Sequence, residues 1–282
     1  MMIERRTFLR GGLLGLALAS SRGLLHGLSI DGAQYDASGP LYPFDLLKWL
    51  YIGWENDHPK SWTFMGGGIS PGLRDPIQFA VSLNGRTYYP NEFAPDRKQK
   101  IKWYLKEGFL PVPVSEWDAG PVHVTIQHFA DRILNDTATA VYSRVELRSS
   151  SAKETPGDLE IGAAKELPLS LASEPTRTEK GRMTYSLVIR PGETVVYDFV
   201  SLANGSATPS QLGAAGGFDA HYDSMKKYWL GRFEPLTHPV TLPISELVNL
   251  YKALQIAIWE NMVKVGDDYE IQIGRASCRE RV

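Results

Sequence analysis

The residues with the clearest chemical potential form a short acidic run, Asp267, Asp268, Tyr269 and Glu270, which follows Gly266. Carboxylates accept hydrogen bonds from ligand hydroxyls and a tyrosine ring stacks on a flat ligand face, so these four side chains are candidate substrate-binding residues. A polar loop after a glycine stop is the simpler interpretation. Two adjacent aspartates point in different directions, whereas a catalytic acid pair needs a defined separation. No catalytic residue is therefore assigned.

Two histidines, His123 and His128, lie on one predicted strand. A spacing of five places them on opposite faces, so a shared metal ion is not expected and no metal site is predicted. His128 with Glu146 or Asp131 is a candidate proton-transfer pair of the mutarotase-like kind, which acts at the anomeric centre of a sugar. Structural or solvent-facing histidines are the preferred interpretation.

Tryptophans are concentrated in the first half of the chain, where exposed indoles would be platforms for sugar rings. The five candidates are Trp49, Trp54, Trp62, Trp103 and Trp117. Large aromatics more often fill a core or a domain interface, and this interpretation is preferred. The chain has no Gly-x-Ser-x-Gly elbow, His-Glu-x-x-His helix or dinucleotide fingerprint. Enzyme classes built on those motifs are unsupported, and no cofactor is expected.

Residues 76–200 alternate between apolar and polar side chains with the period of β-strands. The best hairpin signal is at 77–89, where the turn dipeptide Asn84-Gly85 separates two alternating runs. Further alternation is found at 122–129, 139–147 and 184–200. Strands separated by Gly, Pro and Asn turns predict a mainly β fold, an antiparallel β-sandwich.

The pattern changes after Gly217, beyond a small-residue stretch at 203–215 that we interpret as a linker. A first helix is predicted to end at Gly231. Its apolar residues recur at spacings of four, three and four, which places them on one face. They are Phe218, Tyr222, Met225 and Trp229.

A second helix is predicted to begin near Ser245, which is a favourable N-cap residue. Its main apolar stripe consists of Leu247, Tyr251, Leu254, Ile258 and Met262. Further apolar residues widen this surface, as is typical of a helix buried among other helices. Few helices are predicted here to cover it, so we expect Leu247, Tyr251 and Ile258 to remain partly exposed.

Residues 218–272 resemble the junction in bacterial six-hairpin glycosidases, the glucoamylase-like and related glycoside hydrolases. The resemblance rests on a helix with Tyr228-Trp229, a link with Leu242-Pro243, and the helix sequence LVNLYKALQIAI. It implies a supersandwich-like N-terminal domain at 31–217, followed at 218–272 by two helices that begin a truncated (α/α)6 barrel.

The same resemblance implies that the intact protein binds a carbohydrate partner, an oligo- or polysaccharide, and hydrolyses its glycosidic bonds with two carboxylic acids. In this family both acids lie in the barrel beyond its first helix, and no position in this sequence matches them. The chain by itself is therefore expected to be inactive. A non-catalytic carbohydrate-binding or structural sandwich is the alternative from a different class.

Residues 1–30 carry Arg5-Arg6 ahead of a short apolar run, a pattern that resembles a twin-arginine export signal. It predicts a periplasmic or extracellular protein. The run is shorter than the ~20 residues that cross a bilayer, so no stable membrane anchor is expected. A formal net charge of -2 without a basic patch predicts no nucleic-acid partner.

Residues 273–282, IGRASCRERV, match one reading frame of a common sequencing adapter. They are expected to be a processing artefact, and the natural protein is expected to continue past Gln272. The only cysteine, Cys278, lies in this segment. No disulfide or thiol chemistry is therefore predicted for the natural chain.

Overall fold

The computed structural model describes residues 49–57, 59–90, 100–163, 167–171, 174–236, 244–265 and 268–271. The predicted export signal at 1–30 and the adapter-like segment at 273–282 lie outside the described residues. One compact unit spans 37–262, and a second combines 1–36 with 263–282. Of the second unit, only 263–265 and 268–271 are described.

The described residues form mainly strands. In chain order these are β1 Trp49–Ile52, β2 Ser61–Phe64, β3 Gly68–Ser70, β4 Ile77–Leu83, β5 Arg86–Tyr88, β6 Lys102–Leu105, β7 Pro113–Ala119, β8 Val122–Ile133, β9 Ala138–Ser149, β10 Thr155–Ala163, β11 Leu169–Ser170, β12 Arg177–Glu179, β13 Arg182–Ile189, β14 Thr194–Asn204, β15 Met262–Val265 and β16 Asp268–Ile271. Short 3-10 turns occur at Pro71–Leu73 and Lys106–Gly108.

The strands build two antiparallel sheets that face each other. The first sheet has the order β1-β2-β3-β4-β10-β13-β12, with β5 beside β4, and the second has the order β11-β14-β9-β8-β7-β6. Strands β15 and β16 pair separately. The predicted mainly β, antiparallel sandwich followed by helices is confirmed.

The predicted hairpin at 77–89 is present as β4 and β5, with Leu83 paired to Arg86. Both turn residues have positive φ angles, 51° at Asn84 and 76° at Gly85. A two-residue hairpin turn of this type requires that conformation, and Asn-Gly adopts it at low cost. The Asn84-Gly85 turn therefore favours the observed register.

The second sheet is apolar on both faces at one end, which explains why helices cover it. On β8, Val124 and Ile126 point into the core between the sheets. On the opposite face, Phe129 of β8 and Tyr142 of β9 pack in a second core with residues of the C-terminal helices. Because strand side chains alternate, a strand with apolar residues on both faces needs cover on both sides.

Three helices follow the sandwich: α1 Pro209–Ala214, α2 Phe218–Phe233 and α3 Ser245–Glu260. Helix α1 corrects the prediction of a plain linker at 203–215. Thr208 and Gln211 form a capping box there, with Pro209 in the first turn. This combination stabilises even a short helix.

The two predicted helices are present, with different ends. Phe218, Met225 and Trp229 are buried on α2 as predicted, but the helix continues through Gly231 to Phe233. The N-cap of α3 is Ile244 rather than Ser245, and no side chain caps it. Within the described ranges, no helix is long and apolar enough to cross a membrane.

Candidate functional site

The acidic run does not form the predicted loop. Asp268, Tyr269 and Glu270 lie in β16, which pairs with β15. Asp267 and the side chains of the other three lie outside what the structure describes. Substrate binding by this run therefore remains a prediction.

His128 is enclosed by the sandwich, with 1% of its surface exposed. Its Nε2 lies 2.9 Å from the Gly67 carbonyl oxygen, and its Nδ1 lies 2.8 Å from the Ser143 hydroxyl. A carbonyl only accepts, so Nε2–H donates to it and Nδ1 accepts from the hydroxyl. Burial lowers the pKa of His128 to about 4, although the bond to Gly67 acts in the opposite direction. A neutral, enclosed imidazole with both nitrogens engaged is poorly placed for proton transfer to a sugar.

Glu146 and Asp131, the two candidate partners of His128 in proton transfer, make their hydrogen bonds with other residues. Glu146 accepts a hydrogen bond from the Gln127 side chain, and Asp131 pairs with His221. His123 is exposed and pairs with Asp118. The prediction that the two histidines occupy opposite faces is confirmed.

The five tryptophans named above mostly serve packing. Trp117 and Trp62 are buried, and Trp103 packs against the core between the sheets. The Trp54 ring packs on Tyr228 of α2, with 3.6 Å between centroids. Trp49 is half-buried and stacks on Trp62. The structural interpretation is confirmed for these residues.

A histidine that the sequence analysis overlooked joins α2 to the second sheet. His221 Nδ1 lies 2.7 Å from Oδ2 of Asp131, and its Nε2 lies 2.9 Å from the Ala215 carbonyl oxygen. Its ring stacks on Tyr142 at 4.3 Å. Burial alone would lower the pKa of His221, but the hydrogen bonds to Asp131 and Ala215 raise it overall. Both neighbours are acceptors, so the doubly protonated imidazolium is the form that fits.

Arg144 of β9 holds the first turn of α2 against the same sheet. Its guanidinium makes two hydrogen bonds to Asp198 of β14, of 2.7 and 2.9 Å. It also makes two to Asp219 of α2, of 2.8 and 3.2 Å, and lies 4.0 Å from the Phe218 ring centroid. Bidentate pairing of this kind fixes orientation as well as position.

A buried charged cluster holds the end of α3 against the loop after β1. Glu260 accepts a hydrogen bond from the Gly53 amide at 3.2 Å. Lys60 donates to the Trp54 carbonyl oxygen at 2.8 Å, and Asp57 accepts from Thr139 of β9.

The three charged side chains of this cluster, Glu260, Lys60 and Asp57, are each only 4–6% exposed. Burial raises the pKa of Glu260 well above its usual range and lowers the pKa of Lys60, while the attraction between their charges opposes both changes. The cluster is enclosed by protein. It therefore serves attachment of α3 rather than contact with a substrate.

A cleft of about 850 Å³ lies at one end of the sandwich. It is lined by residues at the start of β4 and near the end of β14, and Pro209 and Leu212 of α1 form one wall. Its lining combines aliphatic side chains with charged and hydroxyl groups, notably Arg74, Asp75, Ser201 and Ser206. This mixture suits a small ligand with both apolar and polar faces.

A shallower groove of about 650 Å³ crosses the outer face of the first sheet. Within it, Ser186 donates to Asp158 at 2.6 Å, and Ser82 bonds to Thr87 and Glu160. These polar groups largely satisfy one another. Among the described residues, no group of three or more His, Cys, Asp or Glu side chains is arranged to hold a metal ion.

Comparison of the chain with protein-family models and with curated proteins found no match.

The residues of the helix attachment were missed because they lie far apart in the sequence. His221 and Asp131 are separated by 90 positions, and Gly53 and Glu260 by 207. Lysine and glutamate are normally expected at the protein surface, so the sequence around Lys60 and Glu260 gave no sign that these two side chains are buried. Helix α1, which forms one wall of the cleft, could have been predicted, because Thr208 and Gln211 have the sequence pattern of a capping box.

Proposed function

We propose that this chain is the sandwich domain and first barrel helices of an exported glycoside hydrolase that acts on oligo- or polysaccharides. The proposal combines the sequence resemblance of residues 218–272 with one structural observation, the two unlike faces of α3. In the intact enzyme, the described residues would position the barrel and form a wall beside it. The two catalytic acids would belong to the barrel.

One face of α3 packs on the sandwich. Ile256 is 2% exposed and lies in the second core, with Ala253 and Trp259 packed beside it. Lys252 lies 4.6 Å from the Phe109 ring centroid and adds a cation–π contact. This face of α3 is therefore covered by packing partners in the described part of the chain.

The other face of α3 is apolar and exposed. Its four residues recur at spacings of three, four and four, which defines one stripe on a helix. They are Leu247, Leu250, Leu254 and Ile258, between 41% and 44% exposed. This exposure confirms the prediction made for Leu247 and Ile258, and Tyr251 is also partly exposed, as predicted. A continuous apolar stripe of this kind supports packing against further helices.

The test is the reading frame of the gene in its source DNA beyond the codon for Gln272. The proposal expects helix-rich sequence with periodic apolar stripes that complement α3, and acidic residues in the loops between helices. A stop codon directly after Gln272 would overturn it. The alternative of a complete, non-catalytic sandwich would then be favoured.

Export is part of the same proposal and rests on Arg5 and Arg6. Replacing both with lysine (R5K and R6K together) should retain the protein in the cytoplasm of a bacterium with a twin-arginine system, because that pathway reads the arginine pair. Cell fractionation and immunoblotting measure this outcome. Equal export of the native and variant chains would contradict it.

A further inference from the structure

The sequence contains two Asn-Gly pairs, and the fold places them in different surroundings. Asn84-Gly85 forms the turn between β4 and β5, whereas Asn204 is the last residue of β14 and Gly205 follows it. An asparagine that precedes a glycine loses its side-chain amide without an enzyme when the glycine nitrogen reaches the side-chain carbon Cγ. Glycine favours this reaction because it has no Cβ atom to obstruct the approach. The backbone around each pair therefore decides which asparagine reacts.

At Asn204 the two reacting atoms lie close together. The Gly205 N–H donates a hydrogen bond to Oδ1 of Asn204 itself, with 2.8 Å between nitrogen and oxygen. Because a C=O bond is about 1.2 Å long, the nitrogen is within about 4 Å of Cγ, the atom that it attacks. Productive contacts between reacting atoms are about 3–3.5 Å, so only a small adjustment of the side chain separates this arrangement from attack.

Solvent reaches the nitrogen that has to react. Gly205 is exposed, as is Ser206 after it, and Asn204 is half-buried. Hydroxide ion in the solvent removes the amide proton of Gly205, which breaks its hydrogen bond to Oδ1 and leaves the nitrogen beside Cγ. The rate of reaction at this position should therefore rise with pH.

The turn at Asn84 restricts the same movement. Its two residues have left-handed φ angles, 51° at Asn84 and 76° at Gly85, and the flanking Leu83 pairs with Arg86. A two-residue hairpin turn requires these angles. Rotation about the Asn84 Cα–C bond, which moves the Gly85 nitrogen relative to the side chain, would open the turn. Asn84 is more exposed than Asn204, so exposure alone predicts the opposite order of reactivity.

We propose that Asn204 is a site of spontaneous deamidation and that, in the folded chain, it reacts faster than Asn84. The Gly205 nitrogen forms a bond to Cγ, the bond from Cγ to Nδ2 breaks, and the amide nitrogen leaves as ammonia with protons supplied by water. A succinimide ring results. Water then opens the ring at Cγ to give aspartate, or at the main-chain carbonyl of position 204 to give isoaspartate. The reaction does not depend on the proposed function.

The isoaspartate product does not fit the backbone packing at this position. Its main chain runs through the former side chain and is longer by one methylene group. Gly205 has a φ angle of 81°, and even a Cβ atom there would lie 2.6 Å from the Thr137 carbonyl oxygen and 2.9 Å from Cα of Ala138. Asn204 itself pairs with Thr139 of β9. Conversion should therefore loosen the end of β14 from the start of β9 and lower the stability of the chain as it ages.

Peptide mapping by mass spectrometry tests the proposal, because it quantifies the replacement of NH2 by OH at each asparagine. The chain is incubated at pH 8, both folded and in urea. In the folded sample Asn204 should convert at least about fivefold faster than Asn84, because the Gly205 nitrogen is held near Cγ. In urea both pairs are released from the fold, and their rates should agree within about twofold.

The folded sample decides the proposal. Equal rates at the two asparagines, faster conversion of Asn84, or no conversion of Asn204 while the urea sample reacts would each overturn it.

Two variants provide matched controls for the loss of stability. Asn204→Ser removes the reactive amide at the end of β14, and Asn84→Asp removes the other amide while keeping a residue that suits the turn. After incubation at pH 8, the midpoint of urea unfolding should fall for the native chain and for Asn84→Asp, and should stay constant for Asn204→Ser. A fall of equal size in Asn204→Ser would refute the link between this site and the stability of the chain.

Discussion

His221 on α2 and Asp131 on β8 form a partly buried ion pair, with 2.7 Å between Nδ1 and Oδ2. The second ring nitrogen of His221 faces the Ala215 carbonyl oxygen, so the imidazole is held between two acceptors. Deprotonation of His221 would leave either the Asp131 carboxylate or the Ala215 carbonyl oxygen without its hydrogen-bond donor. The charge state of this one residue therefore bears directly on how firmly α2 is held to the sandwich.

The first prediction concerns the pH dependence of this contact. The pKa of His221 is raised in the folded chain, so its contribution to stability is complete below about pH 6.5, the ordinary histidine value, and is lost as pH rises through the folded pKa. His221→Gln should lower the free energy of unfolding by about 1–3 kcal/mol at pH 6, and by less at pH 9.

Urea unfolding of the native and His221→Gln chains at the two pH values measures this difference. The nearby Arg144 guanidinium has a raised pKa and stays charged across the range, so it does not produce the effect. A deficit of equal size at pH 6 and pH 9 would show that protonation of His221 contributes nothing.

The second prediction concerns His128 and has the opposite sign. Its pKa is lowered to about 4 by burial, so the folded state resists protonation that the unfolded chain accepts. Stability is therefore complete above about pH 6.5 and falls by about 3 kcal/mol as pH drops toward 4. His128→Gln should remove most of this acid dependence while destabilising the chain at neutral pH.

The imidazole resonances of His128 provide the measurement. In the folded chain they should show a neutral ring protonated at Nε2 at pH 6, whereas in urea the same ring should titrate near 6.5. Titration of the folded ring near 6.5 would contradict its enclosure by Gly67 and Ser143.

The third prediction concerns the buried pair of Lys60 and Glu260. The pKa of Glu260 is raised in the folded chain, so its ionisation destabilises the fold as pH rises from about 4.5 through the folded pKa. Glu260→Gln should therefore gain stability relative to the native chain between pH 5 and pH 9.

Lys60→Met should lower the free energy of unfolding by about 1–3 kcal/mol, because it removes a nearby positive charge that favours ionised Glu260 and leaves the Trp54 carbonyl oxygen without its donor. The double variant should recover part of that loss, and the double-mutant cycle measures the coupling energy. Additive single effects would argue that the two charges do not interact.

The fourth prediction contrasts the two faces of α3. Ile256→Ala should lower the free energy of unfolding by about 2–5 kcal/mol, because Ile256 is buried in the second core. Leu250→Ala should change it by less than about 1 kcal/mol, because Leu250 is 44% exposed. Chemical denaturation of both variants measures the contrast, and equal losses would show that the exposed stripe is packed in solution.

Much of the fold could be predicted from the sequence, because its signals are local. Alternation along β8 and β9 predicted the sandwich, Asn84-Gly85 predicted the hairpin, and apolar spacing predicted the buried face of α2. The end of α2 was misplaced because Gly231 was read as a stop. Within a helix that is packed along its length, one glycine costs only about 1 kcal/mol.

The candidate site could not be predicted to the same degree, because its groups meet only after folding. Asp75 precedes β4 and Ser206 follows β14, yet both line one cleft, and His221 reaches Asp131 across 90 positions. A structural role for His128 is confirmed, but its hydrogen bond to Gly67 depends on a turn in the other sheet and had no signal in the local sequence. Residues that form such contacts show no regular spacing in the sequence.

The most direct test of the central claim is hydrolysis by the protein encoded in the full reading frame of the source gene. It would be measured as the release of reducing ends from a panel of oligo- and polysaccharides, with residues 1–272 alone as the control. We expect the full protein to release reducing ends from at least one substrate and residues 1–272 to release none. A full-length protein that folds and releases no reducing ends from any of them would contradict it.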